Sequence, residues 1–156
     1  MATISFKSVG ELTTEKQLRT QPEPLPIGIT TPMQIGKGND GIFRMHRNLA
    51  SQIADNLRNL ILTNHGERLG MYDFGANLNP ILFSYSSPDW ETDAMMRIKG
   101  AVTKFMPFVE LDSFESEIDN NDEDAGSATV VITVSYSVPT AAITDKAIKV
   151  FLRTGG

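Results

Sequence analysis

The sequence has no cysteine, which excludes a disulfide framework and any thiolate metal site. No apolar run approaches the roughly eighteen residues of a membrane span, and the opening stretch MATISFKSVGELTTEKQ lacks the apolar centre of a signal peptide. The chain is expected to be soluble and cytosolic. Positive charge is not in excess either: 14 Lys and Arg stand against 19 Asp and Glu, a formal net charge of -5. Phosphate backbones and anionic surfaces reward clustered bases, so neither nucleic acid nor membrane is expected as a partner. Histidine is scarce, with only His46 and His65. No H-x-x-x-H, H-E-x-x-H or G-x-S-x-G pattern occurs, and no metal or cofactor is implied.

What is present fits a chain of one-domain length, 156 residues, whose first 41 look unlike the rest. Residues 1–41 read as an extended arm. Pro22, Pro24, Pro26 and Pro32 fix φ and remove backbone donors, so Gln21 to Met33 is expected to be extended. The apolar residues spaced through the arm (Phe6, Val9, Leu12, Leu25, Ile27, Ile29, Met33 and Ile35) favour an arm that docks over a loose tail. Residues 42–156 carry the folded pattern. From about Met45 to Thr63 the period is helical: Leu49, Ile53, Leu57, Leu60 and Ile61 share a stripe, while Arg47, Gln52, Asp55 and Arg58 fall largely elsewhere. Gly66 offers a left-handed cap, with His65 beside it placed to suit the helix dipole. Residues 66–86 are a structured loop with a helical turn expected at Asn79 to Phe83.

Ser87-Pro88-Asp89 reads as a helix start with a hydroxyl cap and proline in the first turn. Trp90, Ala94, Ile98, Ala101, Val102 and Phe105 form the buried stripe, and Pro107 ends the helix. The period then changes to two. Val109 to Ile118 is an expected strand. Thr129 to Val138 alternates most clearly, with Val130, Ile132, Val134, Tyr136 and Val138 on one face. Ile148, Val150 and Leu152 suggest a third strand. The expected fold class is α+β: two amphipathic helices packed on a small antiparallel sheet of two or three strands, with an extended N-terminal arm. So small a sheet has open edges, which are templates for another chain.

Several motifs have plainer readings. Gly36, Gly38 and Gly41 satisfy G-x-G-x-x-G, but no strand precedes them and no βαβ unit follows, so a turn is expected. DNNDEDAG (119–126) lacks the order of a calcium loop and reads as a solvated hairpin loop. Glu67, Asp73, Asp89 and Glu91 could supply a glycosidase carboxylate pair if suitably spaced, yet their places in a loop and at a helix start already have structural explanations. Arg68 supplies a fork for loop backbone or a carboxylate.

The order of features resembles the baseplate wedge and sheath-initiator family of contractile phage tails, which has a counterpart in type VI secretion baseplates. A first helix runs into Gly66, Arg68, Phe74 and Gly75, and then Leu82-Phe83. A second helix carries Arg97, Ile98, Ala101 and Val102. Pro107 leads into the hairpin with the Thr129–Val138 strand. The likeness covers about 42–152. The family commonly has Glu-Pro-Arg where this chain has Met106-Pro107-Phe108, so the proline survives and both charges are gone.

The resemblance implies a structural protein of the virion tail baseplate, assembled in the host cytoplasm and present in several copies with six-fold arrangement. Its implied partners are the wedge proteins and the tail sheath protein. Wedge docking is expected through Gly66, Arg68, Phe74, Gly75, Met106, Pro107 and Phe108. A sheath-facing strand is expected through Thr129, Val131, Thr133 and Ser135, with an open sheet edge starting the sheath. Some family members are labelled lysozymes, which keeps a peptidoglycan hydrolase with a carboxylate pair as the alternative.

Overall fold

In the computed structural model the described residues are 24–36, 41–83, 87–119 and 128–154. The N-terminal arm up to Glu23, residues 37–40 of the glycine motif and residues 120–126 of the acidic loop lie outside them. The chain divides into two units, one ending at Arg47 and the other beginning at Asn48.

The first unit contains an antiparallel ladder in which β1 (Gly28–Ile29) pairs with β2 (Met45–His46). Further rungs run from Thr30 N–H to the Arg44 carbonyl (3.0 Å), from Arg44 N–H to Gln34 (2.9 Å) and from Gly36 N–H to Ile42 (2.9 Å). Within the stretch expected to be extended, Gly28–Ile29 is strand, but Thr31 and Pro32 form a bend, Pro22 lies outside the described residues, and the chain folds back on itself. Leu25 and Ile35 are each 84% exposed within this unit.

The pairing corrects the start of the first helix. Met45 and His46 fit the helical stripe, yet their backbones are committed to β1. Helix α1 is therefore Leu49–Leu62, capped by the Asn48 side chain, which accepts from Ala50 N–H at 2.9 Å. Ile53, Leu57, Leu60 and Ile61 are buried, whereas Leu49 in the first turn is exposed. Asp55 is also buried, contrary to its place in the pattern, and meets Arg58 at 3.3 Å. The helix closes on Thr63, whose N–H and hydroxyl both donate to the Asn59 carbonyl, so neither Gly66 nor His65 caps it. The helical turn expected at Asn79 to Phe83 is the short helix α2 (Asn79–Leu82).

Helix α3 is Trp90–Phe105. Ser87-Pro88-Asp89 precedes it as a turn; Asp89 is the cap residue and makes no side-chain capping bond, and Glu91 and Asp93 occupy the first turn. Trp90, Ala94, Ile98, Ala101 and Val102 are buried and Phe105 is partly so. The helix ends at the residue before Met106-Pro107, where proline cannot continue it.

Three strands complete the second unit: β3 (Glu110–Asp119), β4 (Ala128–Val138) and β5 (Ile143–Thr154), antiparallel in the order β3-β4-β5. Helices pack on one face, α1 and α2 on β5 and α3 on β3. Against them lie Val130, Ile132, Val134, Tyr136 and Val138 of β4 and Ile148, Val150 and Leu152 of β5, all buried. Burial raises the Tyr136 phenol above its ordinary pKa, with the Arg58 guanidinium partly offsetting it.

Candidate functional site

The loop after α1 is built by glycines and backbone bonds. Gly66, Gly70 and Gly75 all have positive φ, and Gly66 N–H donates to the Tyr72 carbonyl at 2.8 Å. Ala76 N–H returns to Leu60 (3.0 Å) and Asn77 N–H to Thr63 (3.2 Å), which fastens the loop across the end of α1. From α3, Arg97 donates to the Asn77 carbonyl at 2.8 Å, holding a residue whose own φ is +51°.

This loop carries a stack. The Arg68 guanidinium lies 4.3 Å from the centre of the Phe74 ring, and Phe74 meets Phe105, the last residue of α3, at 4.9 Å between ring centres. Lys104 pairs with Asp73 beside it. The stack walls a groove of about 710 Å³ that also takes in Asn56, Asn59, Met106 and Phe108.

Four of the seven residues expected to dock, Arg68, Phe74, Met106 and Phe108, thus line one groove. Gly66 and Gly75 shape the loop that presents it, and Pro107 is an exposed turn. Met106 is only 6% exposed and belongs to the core, leaving Phe108, at 43%, as the apolar side chain on offer. Sequence reasoning missed Asn56, Asn59 and Phe105 as groove residues. The two asparagines sit three apart on the polar side of α1, a signal that marks exposure without marking use. Leu69, 98% exposed between Gly66 and Gly70, was also missed.

The second expected surface needs correction. Thr129, Val131, Thr133 and Ser135 lie on the sheet face away from the buried row, but on the central strand. Thr133 pairs with Glu115 on one side and Lys149 on the other. Both sides of β4 are hydrogen-bonded, so it has no edge to present; the edges are β3 and β5.

Two of the four candidate carboxyls, Glu67 and Asp73, are shifted away from what an acid catalyst needs. Glu67 accepts from the backbone N–H and the side-chain amide of Asn64, at 2.8 and 2.9 Å, and these bonds hold its carboxyl below the ordinary range. The Lys104 ammonium does the same for Asp73. A glycosidase acid needs a raised pKa. Glu91 accepts a hydrogen bond from the Ser116 hydroxyl at 2.6 Å.

Both lowered carboxyls contribute stability that is present above their unfolded pKa values and lost as pH falls through the folded ones. A carboxyl-detected NMR titration should give Glu67 and Asp73 midpoints below those of the unfolded chain. The contribution of these two carboxyls should be flat through neutrality and fall only in acid. Among the described residues no group of three His, Cys, Asp or Glu is placed to hold a metal, and no helix is long and apolar enough to cross a membrane.

Comparison with known proteins bears on the family and the fold. The family model described as baseplate wedge protein gp25 matches residues 47–142. A chain of the anti-feeding prophage baseplate, described as six-fold symmetrised, superposes with a TM-score of 0.57 at 16% identity, over 74% of this chain and 85% of that one. A Geobacter sulfurreducens protein described as a tail lysozyme superposes with a TM-score of 0.52 at 20% identity, over 71% and 94%. At these identities the two structures show the fold alone. Curated protein sequences return no match.

Proposed function

The chain belongs to the baseplate wedge protein gp25 family, and from that membership we propose that this component of a phage tail baseplate docks on wedge proteins and starts the tail sheath by offering a sheet edge to its first ring. The observation that carries the reading is the three-stranded sheet, whose outer strands β3 and β5 have no further partner strand among the described residues. An unpaired strand exposes a row of N–H and C=O groups that an extended segment can complete. The groove walled by Arg68, Phe74 and Phe105 would hold the module to the wedge, with Phe108 as its apolar contact. Several copies would sit in six-fold array in the virion baseplate. This role needs no catalysis, and the Glu67 and Asp73 carboxyls are held below the ordinary range, away from the raised pKa of a general acid.

Proline substitutions test the edge. An edge strand tolerates proline where its N–H points away from the neighbouring strand, and loses one docking donor there. Single prolines at Ser113 to Glu117 in β3 and at Lys149 to Phe151 in β5 should include variants with near-normal thermal unfolding. On at least one edge, these should give baseplates that fail to grow sheath in electron micrographs. Normal sheath on every well-folded variant of both edges would sink the reading.

A further inference from the structure

The two edges of the sheet are not equivalent. On β5 the inward residues Ile148, Val150 and Leu152 are buried, covered by α1 and α2. The inward row of β3 is less complete: Leu111 and Phe114 are only partly buried and Ile118 is 39% exposed. Beside that row, between α3 and β3, lies a groove of about 150 Å³ lined by Met95, Ile98, Lys99, Leu111, Phe114 and Val134. The face of β3 turned from the helices carries Glu115 and Glu117, opposite Thr133 and Val131. The strand as a whole, ELDSFESEID, has five acids and no base. On the inward row, Ser116, opposite Ile132, donates to Glu91 of α3. In contrast, β5 (ITDKAIKVFLRT) has three bases and one acid.

Resting on the sheath-initiation reading, we propose that β3 is the edge that accepts the sheath strand, and that this strand alternates apolar and basic side chains. A strand added beside β3 has period two. Its inward residues would cover Leu111, Phe114 and Ile118 and enter the groove beside Met95. Its outward residues would face Glu115 and Glu117, where Lys or Arg forms favourable cross-strand pairs and an acid is repelled. The same acids oppose β3 pairing with β3 of a second copy, so the edge is closed to itself and open to a basic strand.

The test uses the whole chain and two synthetic peptides of about ten residues, one alternating valine with lysine and one alternating valine with glutamate. The lysine peptide should shift the backbone amides of residues 111–118, with binding that weakens as salt rises. The variant E115K/E117K should weaken that binding about tenfold and favour the glutamate peptide. Equal binding of the two peptides, or shifts confined to 143–154, overturns the proposal. Concentration-dependent self-association abolished by E115K/E117K would make a second copy the occupant and also overturn it. In assembled baseplates, E115K/E117K should stop sheath growth. If it does not while edge prolines do, the charge selection is wrong and edge pairing stands. If neither does, the sheath-initiation reading itself fails.

Discussion

Gly75→Ala is expected to lower the stability of the second unit by roughly 3 kcal/mol or more, a fall of about 10 °C or more in the unfolding midpoint. Two causes act together. The backbone at Gly75 has φ of +107°, which side chains rarely adopt. A Cβ there would also stand 2.1 Å from the carbonyl oxygen of Thr63. That oxygen cannot withdraw freely, because it accepts the Asn77 N–H that fastens the loop to α1. Relief of the clash would therefore shift Phe74 and the stack of Arg68, Phe74 and Phe105, and the loss should extend from stability to wedge docking. Gly70→Ala is the control. Its φ is +80°, but a Cβ there meets nothing within 4 Å, so only the conformational cost of about 1 kcal/mol applies. Equal unfolding midpoints for the two variants would refute the steric account.

The second large effect is expected at Thr133. Proline there removes a ladder N–H from the middle strand, between Glu115 and Lys149, and proline is excluded from such positions. Thr133→Pro should cost at least about 3 kcal/mol and leave little folded protein at physiological temperature. Circular dichroism during heating would show this directly. A variant that unfolds at the wild-type midpoint would mean that β4 is not central in solution. Loss of sheath in this variant would report unfolding rather than a blocked edge, which is why the edge test belongs on β3 and β5.

The sequence reading of β4 succeeded and failed for one physical reason. Alternation over Val130 to Val138 records which side chains are buried, and all five are. It carries no information about what lies on either side, since pairing uses backbone groups that every residue has. The third strand was recognised only at its apolar middle, because Asp145, Lys146 and Ala147 obscure the period although β5 continues back to Ile143. Met45 and His46 were read into a helix because an apolar residue near the expected stripe looks helical until its long-range partner, β1, is known. The groove was legible in part. Arg68, Phe74 and Phe108 stood out as residue types, but whether Met106 points inward or outward is decided by the turn at Pro107. The bond from Arg97 to the Asn77 carbonyl spans twenty positions and leaves no local trace.

The irregularity in the β3–β4 register between Leu111 and Ser113 fixes where this strand can absorb a change of chain length. Leu111 and Phe114 both face the helices although they are an odd number of positions apart, so Asp112 is the residue that resets the phase. Most side chains on either side of it can change without altering which surface they belong to. Loss of that single residue would leave Leu111 and Phe114 two positions apart on one face of a regular ladder, whereas loss of one residue between Phe114 and Ile118 would put those two out of step, and would turn either the carboxylates inward or the apolar row toward solvent. Divergence at this edge is therefore free to rewrite its chemistry by substitution, and so to follow a changing partner, while a deletion is admitted at Asp112 and barred from Phe114 to Ile118.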